Sequence, residues 1–276
     1  MVDDSGNVFR YFTCENNKGS LVKPEKVAKQ LTFLEAYKAK YDARNPQLPT
    51  AHQPYLVFGD SSSRIIGLDS SDIGRLDFEE KNQIEREFYT TEVLDVSCTL
   101  FIYWEEILEL ASWFVNLKVL ICSDNGFLTF ENLNENRRYI LFPKLEILVL
   151  NKCNPVSVES LLTQTQVFPN LTALYISNCQ LTHVPLNISS ALKKLDLSFN
   201  LLGVLDDEQL RRIPKDLIWL NLNNNPCSFN PNLKFRFVSL ETLFIEHNDS
   251  LSTWKRLETI SEFCLNFLSR IYFCPI

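Results

Sequence analysis

The sequence predicts an α/β solenoid: a curved parallel sheet of one short strand per repeat on the concave side, with helices and irregular turns on the convex side. Three observations predict it. The stretch Leu192-Lys193-Lys194-Leu195-Asp196-Leu197-Ser198-Phe199-Asn200 reads L-x-x-L-x-L-x-x-N. The same spacing recurs at Leu117/Leu120/Cys122/Asn125, Leu145/Leu148/Leu150/Cys153, Leu171/Leu174/Ile176/Cys179, Leu217/Leu220/Leu222/Asn225 and Leu240/Leu243/Ile245/Asn248, with a weaker copy at Thr91/Leu94/Val96/Thr99. Successive copies start 26, 28, 26, 21, 25 and 23 residues apart.

That period is the period of leucine-rich repeats. In each copy the L-x-L pair alternates with other residues, so a short strand turns one face inward and the other out. The ninth residue falls where the chain leaves the strand, and its side chain can satisfy backbone groups that no strand reaches, strongly for Asn and weakly for a Cys thiol. One such unit cannot bury its own apolar face, so stability comes from stacking and the ends need caps.

In chain order, residues 1–28 begin with the β-like run Gly6 to Cys14, a polar turn, and a second short strand at Leu21 to Pro24. Residues 29–90 are expected to link and cap. Val27, Leu31, Leu34 and Tyr37 recur at helical spacing up to Tyr41, Pro46, Pro49 and Pro54 interrupt, Tyr55 to Phe58 reads as an isolated strand, and Ile84 to Phe88 leads into the repeats. Residues 91–276 hold about seven repeats, with Leu268/Ile271/Phe273 opening an eighth. Convex helices are expected at Trp104 to Phe114, Val156 to Thr163 and Glu208 to Ile213, but not over 181–191, which is short and contains Pro185.

Composition narrows the function. The chain of 276 residues carries a net charge of -7, against a general nucleic-acid binder, which would carry a basic excess. No apolar run is long enough for a spanning helix, so no membrane partner is expected. Met1 to Asn7 shows neither a basic start nor an apolar stretch, and the eight cysteines form no C-x-x-C pair, so an intracellular protein with reduced thiols is expected. Between Lys18 and Arg44 seven basic residues face three acidic ones, a local excess that suits a solvated helix face or steering of an acidic partner.

The run G-x-x-x-R-Y-F-x-C at Gly6 to Cys14, followed by Gly19-Ser20-Leu21-Val22-Lys23-Pro24 to Val27, resembles the last two strands of a CAP-Gly domain. Phe33 to Tyr41, Ile66-Gly67-Leu68-Asp69, Trp104-Glu105-Glu106-Ile107 and the long second repeat then follow in the order found in the tubulin-folding cofactor E family, to which the chain is similar over most of its length. That resemblance implies α-tubulin and other tubulin-folding cofactors as partners, non-covalent assembly or disassembly of the α/β-tubulin heterodimer, and a cytoplasmic place beside the microtubule cytoskeleton. The G-K-N-D-G loop that grips acidic tails in CAP-Gly domains is absent, as is the family's ubiquitin-like domain, so the expectation is a chain shortened at both ends.

No catalytic arrangement is visible. His52, His183 and His247 lie apart from any nucleophile motif, and seven glycines provide no phosphate-cradling loop. No enzyme, cofactor, metal or small-molecule substrate is therefore expected. The candidate site is a protein-binding concave face comprising Val149, Lys152, Tyr175, Lys194, Asp196, Phe199, Trp219, Asn221, Phe244 and Glu246, where aromatic and polar groups mix as they do in protein interfaces. The residues alone also allow an intracellular regulatory subunit or scaffold, for example of a phosphatase.

Overall fold

The computed structural model describes residues 9–10, 25–26, 30–41, 64–126, 142–163, 167–230, 232–248 and 270–272. Two short strands, β1 (Phe9–Arg10) and β2 (Glu25–Lys26), pair antiparallel. The strand expected at Leu21 to Pro24 and the one at Tyr55 to Phe58 lie outside the described residues, as does most of the CAP-Gly-like segment. Helix α1 (Phe33–Tyr41) starts later than the apolar spacing from Val27 predicts. The reason is a capping box, in which Thr32 Oγ1 accepts from the Glu35 amide at 3.3 Å and Glu35 Oε2 accepts from the Thr32 amide at 3.0 Å.

The remaining elements are β3 (Ile65–Gly67), α2 (Lys81–Glu87), β4 (Val93–Asp95), α3 (Trp104–Ser112), β5 (Val119–Ile121), β6 (Ile147–Val149), α4 (Pro155–Leu162), β7 (Ala173–Tyr175), β8 (Lys194–Asp196), β9 (Val204–Leu205), α5 (Asp207–Leu210), β10 (Trp219–Asn221), β11 (Ser228–Phe229), β12 (Thr242–Phe244) and β13 (Arg270–Tyr272). Nine of the strands form one parallel sheet in the order β3-β4-β5-β6-β7-β8-β10-β12-β13, while β9 and β11 pair beside it. The architecture is an α/β solenoid. The sheet begins one strand before the weak copy at Thr91: Ile66 and Leu68 are buried like their successors, but Ser71 stands in the ninth position, so the copy escapes a search for Asn or Cys. The helix at Trp104 falls within its expected span, those at Pro155 and Asp207 each begin one residue earlier than expected and α5 ends at Leu210 rather than Ile213, and none forms over 181–191.

The strands form because their central residues have one place to go. Leu94, Leu120, Leu148, Leu174, Leu195, Leu220 and Leu243 stack in register and are fully buried, followed two residues later by Val96, Cys122, Leu150, Ile176, Leu197, Leu222 and Ile245. A second apolar set, not anticipated from the consensus, uses Phe88, Phe114, Phe142, Phe168 and Phe237, each three residues before a repeat start and buried, with Phe88 packed on Phe114 at 6.4 Å and Phe142 on Phe168 at 5.7 Å between centroids. Phe33 of α1 extends it, with ring centroids 5.3 Å from both Phe88 and Phe114, so α1 closes the apolar end of the set. It also closes the sheet edge, because the Tyr41 hydroxyl donates to the Gly67 carbonyl at 2.7 Å and accepts from its amide at 3.2 Å.

Beyond each strand the chain turns inward, and its carbonyls must find donors away from the sheet. The ninth residue of each repeat supplies one to the preceding repeat: Asn125 to Val96, Cys153 to Cys122, Cys179 to Leu150, Asn200 to Ile176, Asn225 to Leu197 and Asn248 to Leu222. The Asn side chains also accept. Asn125 Oδ1 takes the Thr99 amide at 2.8 Å, and Asn200 Oδ1 takes the amides of Cys179 at 2.9 Å and Leu181 at 3.1 Å. Cysteine keeps the donor but offers no comparable acceptor, so the two residue types should differ in worth. Asn200→Leu leaves Ile176, Leu197, Cys179 and Leu181 backbone groups without this partner and is expected to cost about 3 kcal/mol or more, whereas Cys179→Ala should cost about 1 kcal/mol. Urea titration of both variants checks this, and equal costs would contradict it.

Candidate protein-binding surface

On each strand, the residues either side of the buried leucine project to the opposite face of the sheet. Strand register gathers them into two rows. One runs Gly67, Asp95, Ile121, Val149, Tyr175, Asp196, Asn221, Phe244, and the other Ile65, Val93, Val119, Ile147, Ala173, Lys194, Trp219, Thr242. Apart from exposed Lys194 and buried Ala173, these residues are half-buried. Their chemistry divides the face: through β3 to β6 the rows are largely aliphatic, and from β7 to β12 they carry rings and polar groups.

Tyr175, Trp219 and Phe244 form a continuous ring run. Centroids lie 6.3 Å apart between Tyr175 and Trp219 and 5.3 Å between Trp219 and Phe244, at interplanar angles of 53° and 54°. Burial, and next the Asp196 carboxylate, raise the Tyr175 pKa, which keeps the phenol protonated as a hydrogen-bond donor. Asp196 Oδ1 accepts from the Ser198 amide at 2.9 Å, and Asn221 Oδ1 likewise from Asn223 at 3.0 Å, so both side chains are held at the strand ends by the turns that follow.

Seven of the ten residues expected on this surface are thus brought together: Val149, Tyr175, Lys194, Asp196, Trp219, Asn221 and Phe244. Lys152 and Phe199 are not. Both have left-handed backbones, with φ of 58° and 56°, in the turn after the strand, where alternation no longer holds. The corresponding residue is left-handed in each repeat: Ser70, Cys98, Asp124, Asn178, Asn224 and His247 share this position. Glu246 lies at the rim, its amide donating to Asn223 Oδ1 at 2.6 Å. Of the second row the sequence expectation takes Lys194 and Trp219 and omits the aliphatic Ile65, Val93, Val119 and Ile147, which the same alternation places beside them.

His183 pairs with Glu159 at 2.8 Å, and His52 lies outside the described residues. Among the described residues no group of three or more His, Cys, Asp or Glu is placed to hold a metal ion, and no helix is long and apolar enough to cross a membrane.

The chain is similar to tubulin-specific chaperone E. It is 28% identical to that protein of Bos taurus over 219 residues, covering 72% of this chain and 40% of the relative. The Homo sapiens and Pongo abelii chaperones are each 25% identical over 229 residues, with the same coverage. The chain therefore spans about two fifths of the length of these relatives, and no protein-family profile matches it.

The buried thiols beneath the face are poor nucleophiles. Burial pushes Cys153 and Cys227 up to about 12 and Cys179 up to about 11, from 9.0. A folded pKa above the unfolded one means that the folded state binds more protons, so the thiols' contribution to stability is complete below pH 9 and is lost as pH rises toward the folded values. Stability should accordingly fall between about pH 9 and about pH 11, and a Cys153→Ala/Cys179→Ala/Cys227→Ala variant should show a shallower fall. Urea midpoints across that range check this; parallel profiles for the two proteins would contradict it.

Proposed function

We propose that the chain is a leucine-rich-repeat protein of the tubulin-folding cofactor E type, holding α-tubulin non-covalently on the open face of its sheet. Together with other tubulin-folding cofactors it takes part in assembling or taking apart the α/β heterodimer in the cytoplasm. The repeats start at Ile65 in this reading, and residues 1–28 are a CAP-Gly-like segment ahead of them.

The observation that carries the proposal is the Tyr175–Trp219–Phe244 run on a face whose strands are fixed in register. Rigid rings lose little entropy on docking and supply most of the energy in many protein interfaces. The names of the relatives support tubulin as the kind of partner, and the choice of its α subunit is part of the proposal. The role asks for no chemistry from this chain: a rigid surface covers a subunit face that would otherwise stand open to water, and release requires only competition for that face.

A pull-down from cytosol tests the proposal. The native chain should retain α-tubulin, and a Tyr175→Ala/Trp219→Ala/Phe244→Ala variant, folded by circular dichroism, should retain at least about tenfold less. Recovery of a phosphatase catalytic subunit in place of tubulin, or of no tubulin by a folded native sample, would overturn it.

A further inference from the structure

Strand β8 interrupts the ring run with charge. Lys194 and Asp196 lie two residues apart on the same face, about 6.6 Å along the strand. Across the sheet Lys194 stands between Ala173 and Trp219, and Asp196 between Tyr175 and Asn221. Within the two described rows from Ile65 to Phe244, Lys194 is the one cation.

Its state differs from that of several other lysines in the structure. Lys40 pairs with Asp69, Lys118 with Glu92, and the adjacent Lys193 with Asp216. Among the described residues the Lys194 ammonium takes part in no ion pair or side-chain hydrogen bond, and the side chain is exposed. Asp196 engages one carboxylate oxygen with the Ser198 amide and no cation among the described residues. The other anion in the rows, Asp95, is four strands away on β4, about 19 Å at ordinary strand spacing.

We infer that Lys194 and Asp196 orient the bound partner, which presents a carboxylate opposite Lys194 and a cationic side chain opposite Asp196, both set in apolar surface that meets the flanking rings. The inference rests on the open face being the partner surface. Once a partner excludes water there, each charge is costly unless matched, and matched pairs gain strength from the lower dielectric. Docking in the reverse sense would set like against like. The rings thus supply adhesion that tolerates many partners, and the pair selects one orientation of one partner. The small side chain of Ala173 leaves the ammonium side open on the β7 flank.

The test is a Lys194→Asp/Asp196→Lys exchange in the full chain, which preserves net charge, rings and strand pattern but reverses the local polarity. Binding to purified tubulin should weaken at least about tenfold, with circular dichroism unchanged and the urea midpoint lowered only by the loss of the Ser198 amide bond to the Asp196 carboxylate. Lys194→Met, which keeps the apolar stem, should weaken binding and reduce its dependence on salt. Native-like binding by both variants overturns the inference. The ring variant separates the two readings: if it loses tubulin while the exchange variant retains it, orientation by charge fails and the open-face site stands. If the ring variant also binds normally, the open-face site fails and takes the inference with it.

Discussion

Everything on the open face depends on a hydrogen bond made out of its sight. Each strand is three residues long, too short to hold its own register, and the chain then turns into the interior with carbonyls that no strand can reach. From Asn125 to Asn248 the ninth residue of each repeat donates to the repeat before it. An unpaired buried carbonyl costs more than a made bond gains, so a stack displaced by one residue would lose these bonds together and turn the buried leucines outward. The ladder therefore fixes register, and register decides which side chains share the face.

The turn that makes the ladder possible has its own cost. The residue just before the ladder position is left-handed in the described repeats, and of these Asn178, Asn224 and Asp124 are residue types that take the conformation readily. Lys152 and Phe199 are held in it by their own amides, which donate to the Ser177 and Asn223 carbonyls, each at 2.8 Å. At the N-terminal end of the sheet the same need for closure is met by α1, through Phe33 on the phenylalanine set and Tyr41 on the edge of β3.

The parts legible in the sequence were those with a fixed spacing and a single physical role. Buried leucines at a constant offset gave the strands, and the ninth-residue Asn or Cys gave the ladder. Less was legible where the role was filled by a different residue type. Ser71 and Thr99 replace the ladder Asn in the first repeats, which hid β3, and the phenylalanine set lies outside the consensus window although F-x-x-L could have revealed it. Thr32 and Glu35 set the start of α1 against an apolar pattern that continues upstream. Strand alternation placed Tyr175, Lys194, Asp196, Trp219, Asn221 and Phe244 together, but it cannot be extended into a turn, and Lys152 and Phe199 show where it stops.

Hydrogen exchange of the full chain with and without purified tubulin tests the proposed open-face site most directly. Exchange should slow on binding at 173–175, 194–196, 219–221 and 242–244, with α3 and α4 unchanged. Protection confined to those helices, or to the aliphatic strands at 65–67 and 93–95, would contradict it.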